Sequence, residues 1–403
     1  MLAALGLAQG VLPPQDGLHI PTLKALGFDG RDAEVLFRVR RDAPQLLAAM
    51  ASASPLWTAN AATVSAGADC ADGRVHFTAA NLESHAHRGA EPAVTSRALA
   101  TIFRSEKHFL HHPPLHRGAR MSDEGSANHL RLCADFDRQG LNLYAWGVVA
   151  VAEDDKETAA EKPPAPPVIA PAIEPARQHH LAGVAISRWH RLDPGYVHHA
   201  QQQPDAIDNG AAQAGMLMLG HRELLIHHEK AFVDSSAIRS WLQRRMSGRE
   251  PVVIEILERD LGLDTALETA LFGSQIVSLA DGSMRLLCSQ RCRDNPRTWA
   301  VIQRLIDDPR VAIADAMAQL AKTHRLTPMI GRSNLQQAIP VTFGYKMAGL
   351  LSAVLRHRER IAQLRERVLV GEFAGAAGTL ASLQTGAMQT QAGLCAELGL
   401  AQP

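Results

Sequence analysis

The chain has 403 residues, 46% hydrophobic and 20% charged, with 41 basic and 41 acidic side chains and a formal net charge of zero. That length fits two or three domains, and the charge balance gives no overall basic field for nucleic acid. No apolar run approaches the ~18–20 residues that cross a bilayer, so no membrane segment is expected.

In chain order, Met1–Leu12 is apolar but lacks the basic start of a signal peptide. Residues 1–50 read as helix, loop, helix, with Pro13-Pro14 as the break. Apolar residues at helical spacing (Val35, Leu36, Val39, Leu46, Leu47, Met50) place the second helix over Arg31–Met50. LNLYAWGVVAV at 141–151 reads as a buried strand. Residues 152–175 are acidic, then Pro- and Ala-rich, which suits a loop or linker because Pro breaks both helix and ladder. Met216–Met218 and Glu223–Ile226 flank Gly220-His221 as a hairpin; Val252–Ile256 and Met284–Leu287 read as strands and Leu263–Leu271 as a helix. This mixture is α/β or α+β in character.

The pattern changes after Asp308-Pro309. Val311–His324 is a helix candidate, and Val341–Val370 is a long one without Pro, its apolar residues recurring at three and four. No strand is expected there. From Arg310 on, 10 Lys/Arg face 5 Asp/Glu, so this part is basic and the rest acidic.

Cys70, Cys133, Cys288, Cys292 and Cys395 are odd in number and irregular in spacing, which argues against a disulfide framework and for a reducing, cytoplasmic setting. The run His108, His111, His112, His116 reads as a solvated loop, since Pro113-Pro114 breaks any helix and no ligand stands at metal-site spacing. No phosphate-binding glycine loop is evident.

Six long, collinear segments carry a specific likeness: QGVLPPQ, IPTLKALGFDG, SASPLWTANAATVSAGADCADGRVHFTAANL, SDEGSANHLRL, QQQPDAIDNG and LFGSQIVSLADGSM. Through them, residues 1 to about 305 resemble the N-succinylarginine dihydrolase family of bacterial arginine catabolism. The resemblance implies a pentein fold, a pseudo-five-fold α/β propeller. The propeller is expected to be incomplete: the family's opening strand and glycine-rich substrate loop precede the matched region, and its nucleophilic Cys segment follows it. The resemblance also implies a small-molecule guanidino substrate, hydrolysed from succinylarginine to succinylornithine, ammonia and carbon dioxide, with no metal or organic cofactor. Such chemistry needs a thiolate nucleophile, a His that shuttles protons, carboxylates for the planar cation, and cations for the succinyl group.

Carried over by residue, Glu124 in SDEGSANH matches the catalytic acid. Asn60 in WTANAAT, His87 and Arg88 in HAHRGAEPAVT, and Arg177 in EPARQ match substrate-binding positions. Taken alone, Glu124 would read as a solvated loop acid, Asn60 as a turn residue, and both arginines as surface cations. The chain departs from the pattern at Gln213 in NGAAQAG, where the family has its catalytic His, and at Gly215, where it has Asp. Gln cannot cycle a proton near neutral pH. Cys288 and Cys292 lack a basic partner in sequence and read as incidental thiols rather than replacement nucleophiles.

PMIGRSNLQQAIPVTFGYK and RERVLVGEFAGAAGTLASL carry a second likeness. Residues from about 312 to 403 are similar to 3-carboxy-cis,cis-muconate cycloisomerase and adenylosuccinate-lyase-like members of the fumarase superfamily. Their sites are shared between subunits, which implies a homo-oligomer. Asn334 stands where many members carry His, and Gln336, Gln337 and Thr342 match substrate-contacting positions that would otherwise be helix-start polars. The expectation is an incomplete pentein-type α/β domain over 1–305, then an all-α fragment with one long helix over 306–403. The join falls within Arg291–Arg310, as in a gene fusion, and dihydrolase activity is expected to be impaired.

Overall fold

Three stretches of the chain repeat one pattern: a hairpin of two strands, then a helix, then a third strand that returns parallel to the second. A computed structural model describes residues 17–51, 61–82, 86–116, 121–148, 177–279, 284–306, 320–333, 336–368 and 386–398, with isolated residues elsewhere. The first repeat is β1 (Ala62–Ser65), β2 (Val75–Ala79), α4 (Glu91–Ile102) and β3 (Phe109–His112). The second is β4 (His129–Leu132), β5 (Leu141–Trp146), α5 (His180–Trp189) and β6 (Val197–Gln201). The third is β7 (Met218–His221), β8 (Leu224–His228), α7 (Ser235–Arg245) and β9 (Val252–Ile256). In each, the hairpin is antiparallel and the outer pair parallel, for example Ala62↔Ala79 and Val75↔Phe109. A parallel pair cannot close by a tight turn, which is why a helix bridges each one. The hairpin β10 (Gln275–Ser278) and β11 (Met284–Leu287) starts the pattern a fourth time.

The middle strand of each sheet is the apolar one. β8 (LLIHH) is buried along its whole length, and β5 (LNLYAW) along all but its last residue. A strand flanked on both edges and covered by a helix has no wet face, so it does not alternate. Ile186 and Ala182 of α5 pack on Tyr144 of β5, and Leu99 of α4 packs on Phe77 of β2.

Ahead of the repeats, α1 (Ile20–Ala25), α2 (Asp32–Asp42) and α3 (Pro44–Ala49) close around Leu23, Val35, Val39 and Met50. The single helix expected over 31–50 is two, because Pro44 cannot continue α2 and begins α3 at its first turn instead. Helices α6 (Pro204–Asp208), α8 (Leu263–Thr269), α9 (Gln290–Asp294) and α10 (Pro296–Ile306) complete this part. The two later strands and α8 lie where the sequence placed them; the hairpin is shifted, since Met216 ends a 3-10 helix and Gly220-His221, expected between the strands, belong to β7. The expected strand over 141–151 ends at Trp146. Pro13-Pro14 and nearly all of 152–175 lie outside the described residues. The histidine run is corrected: Phe109–His112 is a strand, and His111 and His112 are half-buried rather than solvated.

The chain divides into one unit comprising residues 1–280 and 284–305, and another comprising 281–283 and 306–403. The second unit is not all-α. It holds an antiparallel hairpin, β12 (Pro328–Ser333) with β13 (Gln336–Thr342), interrupted at Gly331, where a Cβ would stand 2.6 Å from the Ile339 carbonyl oxygen. Gln336 and Gln337 are thus exposed strand residues, not a helix start. Thr342 does start a helix: its Oγ1 accepts a hydrogen bond from the Tyr345 N–H at 3.1 Å. That helix runs Phe343–Val368, and a further one runs Ala387–Leu398. Of 311–324, residues 320–323 are helical, and most of the rest lies outside the described residues, as does Asn334. No helix among the described residues is long and apolar enough to cross a membrane.

Candidate functional site

Glu124 ends the loop that leads into β4, and Gly125 turns it inward. Gly125 has φ +73, and a Cβ there would press to 3.2 Å on backbone atoms of Ala59 and Ala62, so glycine suits both conformation and space. A short 3-10 helix, Gly125–Asn128, follows and is tied to β1 by Ser126 Oγ donating to the Ala62 carbonyl at 2.7 Å. Far from being a solvated loop acid, Glu124 is fully buried.

Its surroundings come from three repeats. Arg177, three residues before α5, places Nη1 3.6 Å from Glu124 Oε1. Asn128 donates from Nδ2 to Glu124 Oε2 at 3.2 Å. Gln178 accepts the Glu124 N–H at 2.8 Å and donates from Nε2 to Asp123 Oδ1 at 3.0 Å. Gln213, in the loop before β7, sets its side-chain amide against the Glu124 carboxylate. Arg88, buried and ion-paired with Glu91 at the first turn of α4, adds positive potential to both Glu124 and Asp123.

Burial pushes the Glu124 carboxyl up to about 7, against the Arg177 charge and the Gln213 and Asn128 hydrogen bonds, which favour the ionised form. Burial likewise raises Asp123 to about 6, opposed by Gln178. Each carboxyl keeps one buried oxygen, Glu124 Oε1 and Asp123 Oδ2, without a hydrogen bond among the described residues. Buried acceptors are costly to leave unmet, and at Glu124 Oε1 the Arg177 charge 3.6 Å away offsets part of that cost.

Of the residues singled out from sequence, the structure therefore brings Glu124, Arg177, Arg88 and Gln213 together. His87 is half-buried beside Arg88. Asn60 lies outside the described residues. Asp123, Asn128 and Gln178 were missed. Asn128 stood four residues after Glu124 in the SDEGSANH segment, and Gln178 beside Arg177, but no residue type there announced a contact across the fold.

Cys70, Cys133 and Cys292 offer no activated thiol. Burial pushes the Cys70 thiol up to about 12 and raises Cys133 and Cys292 as well. Cys292 is buried and donates to the Thr269 carbonyl. Among the described residues no group of three or more His, Cys, Asp or Glu could hold a metal ion.

The profile of the succinylarginine dihydrolase family matches residues 1–320. The chain belongs to that family. N-succinylarginine dihydrolase of Chromohalobacter salexigens is 44% identical over 306 residues, which is 76% of this chain and 65% of that protein. The same enzyme of Pseudomonas paraeruginosa is 41% identical over 309 residues, 76% of this chain and 66% of that protein. The chain thus spans just under two thirds of the length of the curated relatives it matches. The profile of a family described as lyase matches residues 299–402, overlapping the first match. Among solved structures, a fumarate lyase from Mesorhizobium is 41% identical over 35% of this chain and 27% of that one, with a TM-score of 0.23. The N-terminal domain of ArgZ, a cyanobacterial arginine dihydrolase, is 12% identical over 66% of this chain and 79% of that one, with a TM-score of 0.34. Both superpositions are too loose to define the fold, which is mixed α/β with small sheets and, among the described residues, no closed barrel.

Proposed function

We propose that residues 1–305 form a pentein-type domain that binds N-succinylarginine and hydrolyses it poorly or not at all. The observation that carries this reading is the buried Glu124 carboxylate, whose Oε1 makes no hydrogen bond and faces Arg177 Nη1 at 3.6 Å. Three full ββαβ repeats and the start of a fourth are the pattern a five-fold propeller is built from.

In this reading Glu124 accepts N–H bonds from the guanidinium, and Arg177, Arg88 and His87 hold the succinyl carboxylates, with Asn60 as a further amide contact. Gln213 orients by hydrogen bonding but cannot give a proton to leaving ammonia, so the acid–base step is lost at that position. Gly215 supports the same reading: a Cβ there would stand 2.7 Å from the Ala127 carbonyl oxygen, so the carboxylate that the family places at this position would require the loop to shift. The ligand is a small cytoplasmic metabolite, and the domain needs no cofactor.

A second module, 306–403, is proposed as the lyase-family part. Large apolar side chains stand exposed on its long helix and hairpin (Ile339, Tyr345, Leu350, Val368), which favours an assembly role through a homo-oligomer over catalysis.

Calorimetric titration with N-succinylarginine tests the first reading. Binding should appear, should weaken at least tenfold in Glu124→Gln, and should strengthen from pH 6 to pH 8 as the carboxyl ionises. Binding that is indifferent to Glu124 and to pH would remove the reading.

A further inference from the structure

One side chain touches both halves of this site. Asn128 is buried, with 2% of its surface exposed. Its Nδ2 donates to Glu124 Oε2 at 3.2 Å, while its Oδ1 accepts the N–H of Ala214 at 2.8 Å, next in the chain to Gln213. These contacts join β4's entry loop to β7's entry loop across 86 residues of sequence. Gln178 lies against the same amide: Asn128 Nδ2 is 3.5 Å from Gln178 Oε1, which also receives the Glu124 N–H.

We propose that Asn128 is a positioning residue: its carboxamide holds the Glu124 carboxylate against the loop at Gln213, so that the spacing between the two is fixed by one planar group. An amide suits this task because it donates and accepts at once, and because its two polar atoms are rigidly about 2.3 Å apart. Asp in its place would keep the acceptor for Ala214 and lose the donor for Glu124. Leu would lose both and bury an unpaired N–H. Gln178 backs the arrangement by fixing the backbone of Glu124 and, through chain adjacency, the start of Arg177. The pairing matters for function because a carboxylate that receives ligand N–H groups must keep its direction: Asn128 holds Oε2 while Oε1 faces Arg177. This consequence for ligand binding rests on the N-succinylarginine reading above; the placement of Glu124 by Asn128 does not.

A readout that needs no ligand tests it. Gln213→His sets an imidazole beside Glu124, and its ring-proton NMR titration reports how close the carboxylate is. Adding Asn128→Ser should lower the imidazole midpoint by a pH unit or more, because the carboxylate that favours the imidazolium is no longer held against it. In a chain with Gln213 intact, the ¹³C-carboxyl titration of Glu124, assigned by its loss in Glu124→Gln, should move up by half a pH unit or more in Asn128→Ser. If Asn128→Ser is folded and neither titration moves, Asn128 is structural only and the proposal is overturned. Should Asn128→Ser fail to fold, Asn128→Asp keeps the Ala214 contact; there the Glu124 midpoint must rise by more than a pH unit, and an unchanged midpoint overturns the proposal equally. Calorimetry with N-succinylarginine on the unaltered protein is scored separately, so a failed ligand reading leaves the positional result standing.

Discussion

Arg88 and Arg177 occupy the same place in successive repeats: each stands three residues ahead of its crossover helix, Arg88 before α4 at Glu91 and Arg177 before α5 at His180. Glu124 and Gln213 are related in the same way, each five residues before the first strand of a repeat, at His129 and Met218, and each followed by a short 3-10 helix. The site is thus assembled from equivalent loops, which all open on one end of their sheets.

Both arginines stabilise the ionised form of Glu124, and Arg177 does so more strongly. Arg177→Gln should push the Glu124 carboxyl above its value of about 7 and move the pH at which N-succinylarginine binding sets in upward with it. Affinity at pH 7 should fall on the order of tenfold, as expected for a lost charged contact. Titration calorimetry at pH 6, 7 and 8 checks this, and an unchanged pH profile would speak against it.

Glu124 also sets a stability slope. Its folded value is raised, so the folded state holds its proton while the unfolded chain releases one, and stability falls as pH rises from about 4.5 to about 7 and then levels. Above that window ionised Glu124 costs up to about 3 kcal/mol, since moving a titration midpoint by one pH unit takes ~1.4 kcal/mol. Glu124→Gln should therefore stabilise the protein at pH 8 by about 1–3 kcal/mol, with the gain vanishing near pH 4.5. Urea unfolding of both proteins at the two pH values measures it; a loss of stability at pH 8 would contradict the burial argument.

Acid should act through a second cluster. His76, His112 and His190 cluster with ring centroids 5.1–5.5 Å apart, His112 stacked on His190 and His76 set at an angle to both. His190 is hydrogen-bonded to Ser65 and Thr78, and His76 to Asp72 and His112. Burial and the neighbouring imidazoles pull His190 down to about 2 and His112 to about 4. A depressed histidine leaves the unfolded chain binding the extra proton, so stability is present above about 6.5 and is lost as pH falls toward the folded values. His112→Gln should flatten the decline between pH 6.5 and 4 by roughly 1 kcal/mol per pH unit. An unchanged slope in pH-dependent urea unfolding would show that the cluster carries no such linkage.

Restoring both family residues should cost stability. Gly215→Asp meets the Ala127 carbonyl oxygen at 2.7 Å, and a backbone contact cannot yield as a flexible side chain can. Gln213→His with Gly215→Asp should be less stable than Gln213→His alone by about 1–3 kcal/mol, the usual cost of overpacking. Thermal melting of the pair checks it, and equal melting temperatures would mean the loop relaxes freely.

Much of this was legible in the chain. β8, β9, β11 and α8 show themselves by short apolar runs, whereas a repeated α/β architecture was only implied by the family likeness. β3 was not, because His111 and His112 look solvent-facing until a parallel neighbour and the rings of Phe77 and Trp189 cover them. β12 and β13 were hidden for the opposite reason: β13 is exposed along most of its length and contains Pro340, so it has neither alternation nor an apolar face to announce it. At the site, Glu124, Arg88 and Arg177 were found by likeness, but the burial of Glu124 was not foreseeable from a DEG turn. Asn128 touches Glu124 four residues away, but its bond to Ala214 and the contacts of Gln178 span 50 to 86 residues of sequence, which no local pattern records.

Ammonia release from N-succinylarginine, measured with the whole chain and with Glu124→Gln under conditions where the unaltered protein binds the ligand, tests the central claim most directly. The expected result is no release above the level of Glu124→Gln, because Gln213 cannot pass the proton that the leaving group needs. Steady, Glu124-dependent release would contradict it and would mean that another group in the protein supplies the acid–base step.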